Sequence, residues 1–197
     1  MHVKQNKHAA RSEATRATLV AAARPLFAVH GFAGVGTEEI VRAAGVTRGA
    51  LYHHFRDKED LFAAVFEQVE AELMQRIGQV AGAHADDPRA ELRVGAETWL
   101  DACAEPEVHR IVLLDAPAVL GRERWREIAL RYGLGLVVAA LQAAIDAGQI
   151  DPQPVEPLAH VLLGAIDEAA LYLAAAEDHA TARAEVGAVL DRLLAAL

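Results

Sequence analysis

The chain has 197 residues, long enough for one domain with a full core or for a small head on a larger body. It is 53% hydrophobic, chiefly alanine and leucine, and only 5% aromatic, a composition that predicts nearly all helix. A formal net charge of -9 argues against a nonspecific nucleic-acid coat, and one cysteine, Cys103, excludes an internal disulfide and fits a reducing cytoplasm.

The charge is unevenly spread. Residues 1–60 hold 9 Lys/Arg against 6 Asp/Glu, or +3, which leaves 10 against 22, or -12, for residues 61–197. A basic head on an acidic body suits a protein that presents one surface to phosphate. The N-terminus lacks an apolar signal region, and no uncharged run approaches the roughly 20 residues that span a bilayer. A cytoplasmic protein with no membrane partner is therefore expected.

In chain order, residues 1–11 read as a flexible basic arm, able to reach phosphate or simply to lie in solvent. A first helix is predicted over about 12–30, its apolar stripe formed by Ala17, Leu19, Val20, Ala23, Leu26 and Phe27. Pro25 predicts a kink near Ala21 and Ala22, and Gly31 ends the helix. After a loop through Gly36, which contributes no side-chain oxygen as a cap, Thr37 to Ala44 form a short helix. Glu38 and Glu39 are favourable carboxylates in its first turn. Gly45 breaks it, Thr47 caps the next, and Leu51 and Phe55, four apart, turn inward while Arg48, Tyr52, His53 and His54 look outward. Two short helices joined by a tight glycine turn make a helix-turn-helix, whose second helix enters the major groove of DNA.

A connecting helix is predicted over about 58–80, with Leu61, Val65, Val69, Leu73 and Ile77 at every fourth position. Further helices are expected over 88–104, 105–114, 121–147, 155–176 and 178–196, with Ala116-Pro117 as an interruption and 148–154 as the clearest loop. The domain layout is thus an arm, a DNA-binding domain over 12–57, and a ligand-binding and dimerisation body over 58–197. The two C-terminal helices carry more apolar surface than one face can bury, which points to a dimer through Leu162, Ile166, Val186, Val189, Leu190, Leu193 and Leu194. The alternative is packing within the monomer.

Arg48 is the candidate for base contact, because its fork matches guanine O6 and N7. Tyr52, His53, His54 and Lys58 are candidates to hold phosphate, which sets register without reading sequence. Gly49 weakens a helix, and close backbone approach to DNA would compensate. In the body, Trp99, Cys103, His109, Leu113, Trp125, Tyr132, His160, Asp167 and Tyr172 are candidates to line a ligand pocket, each also readable as core. The nine histidines form no His-Glu-x-x-His or Cys/His cluster, and no glycine-rich phosphate loop is present. No metal, cofactor or enzymatic activity is expected; Cys103, His109 and Asp115 make a triad only on paper.

The run Gly31-Phe32, Thr37-Glu38-Glu39-Ile40-Val41, Ala44-Gly45-Val46-Thr47-Arg48-Gly49, Leu51-Tyr52-His53-His54-Phe55, Lys58-Glu59 and Leu61-Phe62 resembles the TetR family of bacterial repressors. The likeness covers the first third of the chain; the remainder matches only in its helical layout. Val35 and Gly36 depart from the hydroxyl residues common there, and Pro25 departs from a straight helix. The resemblance implies an all-α fold with a three-helix head, a phosphate contact at Thr37, and a four-helix bundle between two protomers. It implies a homodimeric repressor released from a pseudo-palindromic operator by a small-molecule effector. A ligand-free constitutive regulator, or an enzyme carrying a repressor-like head, are the competing classes.

Overall fold

The computed structural model describes residues 2–197, with side chains described from Ala10 onward, and every regular element among them is helical. These are α1 (His2–Gly34), α2 (Thr37–Ala44), α3 (Arg48–His54), α4 (Lys58–Gly82), α5 (Pro88–Cys103) and α6 (Pro106–Val108), then a π-helical stretch (His109–Asp115), α7 (Ala116–Asp146), α8 (Val155–Ala175) and α9 (His179–Ala195). The all-α expectation holds. Because α1 starts at His2, the backbone of 2–11 is helical where an arm was expected. Met1 and the side chains of residues 2–9 lie outside the described residues, and so does the arm's reach toward phosphate.

Local chemistry sets most boundaries. Asp57, Asp87 and Asp178 cap α4, α5 and α9 by accepting the amides of Asp60, Ala90 and Thr181. Pro88 and Pro106 open α5 and α6, where a missing N–H costs nothing. Neither Pro25 nor Pro117 breaks its helix. Helical dihedrals run through Pro25, and the one departure inside α1 is at Gly31, with φ 69° and ψ 168°. Ala21 and Pro25 are exposed, so water can take the carbonyl that proline leaves unpaired. Ala116-Pro117 does not interrupt the chain either, since Ala116 keeps right-handed helical dihedrals. The π stretch just before it widens the backbone and shifts its hydrogen bonds by one residue, which accommodates the ring. The break falls instead at Gly121, φ 73°.

The core begins in the head and runs along α4 into the body. Leu61, Val65, Val69, Leu73 and Ile77 are all buried, as their spacing predicts. Phe62, Ala63, Ala64 and Phe66 are buried too, so the start of α4 is enclosed on every side. Phe27 and Phe32 stack there and both meet the Phe62 ring edge-to-face, with centroids 5.2–5.9 Å apart. Of the predicted α1 stripe only Ala17 is exposed. A second cluster around Leu141, Ala144, Ile150, Ala159 and Leu162 holds the far end of the body.

By length and composition three stretches, Ala10–Gly34, Pro106–Asp146 and Val155–Ala175, are apolar enough to cross a bilayer. The expectation above concerned uncharged runs. Alanine and leucine keep a window's mean hydropathy high even where one or two charges interrupt it.

Candidate nucleic-acid interface and effector cavity

The head builds its outward face from the turn upward. Gly36 caps α2 with its carbonyl alone, taking the amides of Glu39 and Ile40 at 3.1 and 3.2 Å. Gly45 adopts the left-handed conformation, φ 65°, and its amide returns to Arg42 and Val41. Thr47 then caps α3, its hydroxyl oxygen accepting the Ala50 amide at 3.2 Å. Burial of Leu51 and Phe55 pins α3 to the core and fixes which residues face out. Thr47, Arg48, Gly49, Tyr52 and His53 are exposed, while Thr37 and His54 are half-buried.

Arg48 is not idle on that face. Its guanidinium donates to Glu38 at 2.9 Å and lies 5.5 Å from the centroid of the Tyr52 ring. Both partners of that ion pair are exposed, so water and salt screen it and it exchanges readily. A Cβ placed on Gly49 would meet only the Thr47 hydroxyl, at 3.8 Å. Nothing inside the protein demands glycine there, which leaves the outside.

Lys58 differs from its expected role. Its ammonium donates to the carbonyls of Phe32 and Val35 at 2.8 and 2.9 Å and sits 4.0 Å from the Phe32 ring centroid. It closes the end of α1 onto α4, and burial lowers its pKa. Two of its three donors are thereby committed to the protein's own backbone.

The body holds a partly open cavity of about 150 Å3 between α4, α5, α7, α8 and α9. Of the nine predicted pocket residues, Trp99, Trp125 and Asp167 line it. Cys103 and His109 line a second, more open hollow of about 480 Å3 beside the π stretch. Leu113, Tyr132, His160 and Tyr172 line neither: Leu113 and Tyr132 pack into the core, and Tyr172 is 56% exposed. The second hollow is larger, but no described polar side-chain atom in it is buried without a partner. In the first, Glu70 Oε1 and the indole nitrogens of Trp99 and Trp125 are buried with no hydrogen-bond partner. Unpaired buried polar groups cost stability unless something meets them, so the first cavity is the stronger candidate for a ligand site.

Glu70 escaped the sequence reading, although its place was visible. It sits four residues after Phe66 and three before Leu73, in an otherwise apolar stripe, and it is 1% exposed. Burial, with Asp167 nearby, pushes its carboxyl up to about 8. Burial also lifts Asp167 to about 6, against the pull of Arg126. The paper triad dissolves: burial pushes the Cys103 thiol up, and Asp115 is committed elsewhere.

That commitment joins body to head. Asp115, at the end of the π stretch, accepts the Phe32 amide at 2.7 Å. Gly31 permits this, because a Cβ there would lie 3.3 Å from the Asp115 carboxylate and 3.4 Å from Arg110. Nearby, Arg24 forks onto both oxygens of Glu107 at 2.8 Å and reaches Glu72 at 2.6 Å, tying α1 to α6 and α4.

Fold and outward face together define a helix-turn-helix regulator with a helical body. The model for bacterial regulatory proteins of the tetR family matches residues 19–65, and the tetracyclin repressor-like C-terminal domain matches 89–197. The transcriptional regulator CymR of Pseudomonas putida is 37% identical over 159 residues, 76% of this chain and 78% of that protein. The Transposon Tn10 TetC protein of Escherichia coli is 28% identical over 156 residues, 77% of this chain and 76% of its own length. A TetR-family regulator from Pectobacterium atrosepticum superposes with a TM-score of 0.83 at 36% identity, covering 94% of each chain. RolR in complex with resorcinol shares the fold at 22% identity, TM-score 0.76, covering 94% of this chain and 89% of RolR. The chain belongs to the TetR family of bacterial regulatory proteins. It is a DNA-binding transcriptional regulator.

Proposed function

We propose that two copies of this chain dock their α3 helices in successive major grooves of a pseudo-palindromic operator and leave it when a small molecule fills the cavity beside Glu70. Arg48 reads a base, Thr37, Thr47, Tyr52, His53 and His54 hold phosphates, and Gly49 lets the backbone approach. Release is a population shift: the ligand favours a head spacing that no longer matches the operator, and must bind that state better. The observation that carries the reading is the cavity itself, walled by α4 and holding three buried polar side chains with unpartnered atoms. RolR, of the same fold, holds resorcinol.

The dimer surface is best placed on exposed apolar residues of α8 and α9. Val161 is 67% exposed, Tyr172 56%, and Val189 and Leu193 46% each. Leu162, Leu190 and Leu194, by contrast, are buried within the monomer, with Ile166 and Val186 partly so, and they serve the chain's own core.

The test is a titration of hydrophobic metabolites against protein bound to an operator selected from random duplexes. Tryptophan emission should change over the same concentration range in which DNA is released. Release with flat emission, and unchanged binding by a Trp99→Phe, Trp125→Phe variant, would place the effector elsewhere.

A further inference from the structure

The cavity's polar groups narrow the chemistry of what it takes. Glu70 on α4 and Asp167 on α8 line one apolar chamber, Glu91 adds a third acid, and Arg126 supplies the one basic side chain among the described residues of its wall. Acids exceed bases, and the most buried acid, Glu70, has an oxygen with no partner at all. An anion would meet carboxylates here. A wholly apolar ligand would leave Glu70 and both indole N–H groups as orphans.

We propose that this cavity binds a compact organic cation, a protonated amine on an apolar body of about one ring, with its ammonium between Glu70 and Asp167. The faces of Trp99 and Trp125 suit both the ring and the charge, and an oxygen on the ligand body would take their N–H groups. The inference deepens the effector reading above and rests on it for operator release, though not for binding.

A cation also relieves the cost of burying Glu70 beside Asp167. Glu70 stays protonated at neutral pH because burial and the charge of Asp167 oppose its ionisation. Asp167 is held partly in check by Arg126 on α7, Glu91 faces the cavity from α5, and the nearby Cys103 thiol stays protonated. An ammonium beside Glu70 reverses the balance, and the carboxyl ionises. Binding then releases Glu70's proton to solvent, and the ligand enters with its own proton kept.

Calorimetry on the full chain tests this with 2-phenylethylamine and benzylamine against the matching neutral alcohols, 2-phenylethanol and benzyl alcohol. The amines should bind at least about tenfold more tightly than the alcohols at pH 8. Buffers of different ionisation enthalpy should report about one proton released per amine at pH 7. Amine affinity should rise about tenfold per pH unit from 7 toward 8, where Glu70 is protonated only in the free protein, somewhat more steeply near 6, where Asp167 also gives up a proton, and level off above 8. Glu70→Gln should abolish the proton release and weaken the amines more than about tenfold, leaving the alcohols within about threefold. Asp167→Asn should weaken the amines in the same direction without removing the proton. Alcohols binding as tightly as amines, amines indifferent to Glu70→Gln, or no amine binding at millimolar concentration would overturn the inference. An amine that binds with these signatures yet leaves the operator occupied would sink the effector reading alone. A neutral ligand that releases the operator from this cavity would spare that reading and sink the inference.

Discussion

Arg48 illustrates what a single side chain must give up to read DNA. In the free protein it is held by Glu38 and lies over Tyr52, an arrangement that keeps the guanidinium near the groove-facing surface at little cost. DNA must outbid Glu38, and a bidentate guanine contact does so comfortably. Arg48→Ala should therefore weaken operator binding about 5- to 150-fold and relax preference at one base pair per half-site. Glu38→Gln should tighten binding by up to about fivefold, since it removes a competitor and a charge that repels phosphate. Electrophoretic shift titrations against the operator and its point variants check both; unchanged preference in Arg48→Ala would remove the base-reading role. This part of the site was legible because caps and short-range spacing are local. Lys58 was not: its Phe32 and Val35 carbonyls lie 26 and 23 residues away, and sequence spacing does not bring them together.

Among the elements, the π stretch carries a bond that joins body to head. A widened turn leaves no periodicity of its own in a seven-residue span, so residues 109–115 read as ordinary helix and Pro117 as a stop. Helix bounds, in contrast, followed visible caps and turns such as Thr47, Pro88 and Gly45. The stretch ends in Asp115, whose bond to the Phe32 amide is charge-assisted and half-buried. Asp115→Asn keeps the shape and loses the charge. Ligand affinity in the absence of DNA should stay within about threefold, while the factor by which saturating ligand weakens operator binding should shrink toward one. An unchanged factor, measured by anisotropy of labelled operator, would show that coupling runs elsewhere.

At the scale of the whole molecule, the sequence announced two C-terminal helices with surplus apolar surface but not which side met the chain's own body. Adjacent positions settle opposite ways: Val189 is 46% exposed and Leu190 7%. A charge at Leu190 would therefore unfold the protomer and say nothing of dimers. Val161→Glu with Val189→Glu alters only exposed positions, so the protomer should keep its helical signal while sedimentation shows monomers. Operator affinity should then fall more than about a hundredfold, since each half-site must bind alone. A double variant that remains dimeric would move the interface.

The cavity was legible at its tryptophans and at Asp167; Glu70 was passed over, although it stands in the apolar stripe between Phe66 and Leu73 that the fold buries. Whether its occupancy releases DNA is the centre of the account. Gly133 lines the cavity from α7, and a Cβ there meets only Met74 at 3.5 Å and Leu163 at 4.0 Å, so the wall accepts a side chain that grows into the open space. Operator release by one releasing ligand should be measured on the parent and on Gly133→Leu. The filled variant should bind operator within about threefold of the parent and need at least about tenfold more ligand to let go. Release from Gly133→Leu at the parent's ligand concentration would contradict the claim that this cavity is the switch.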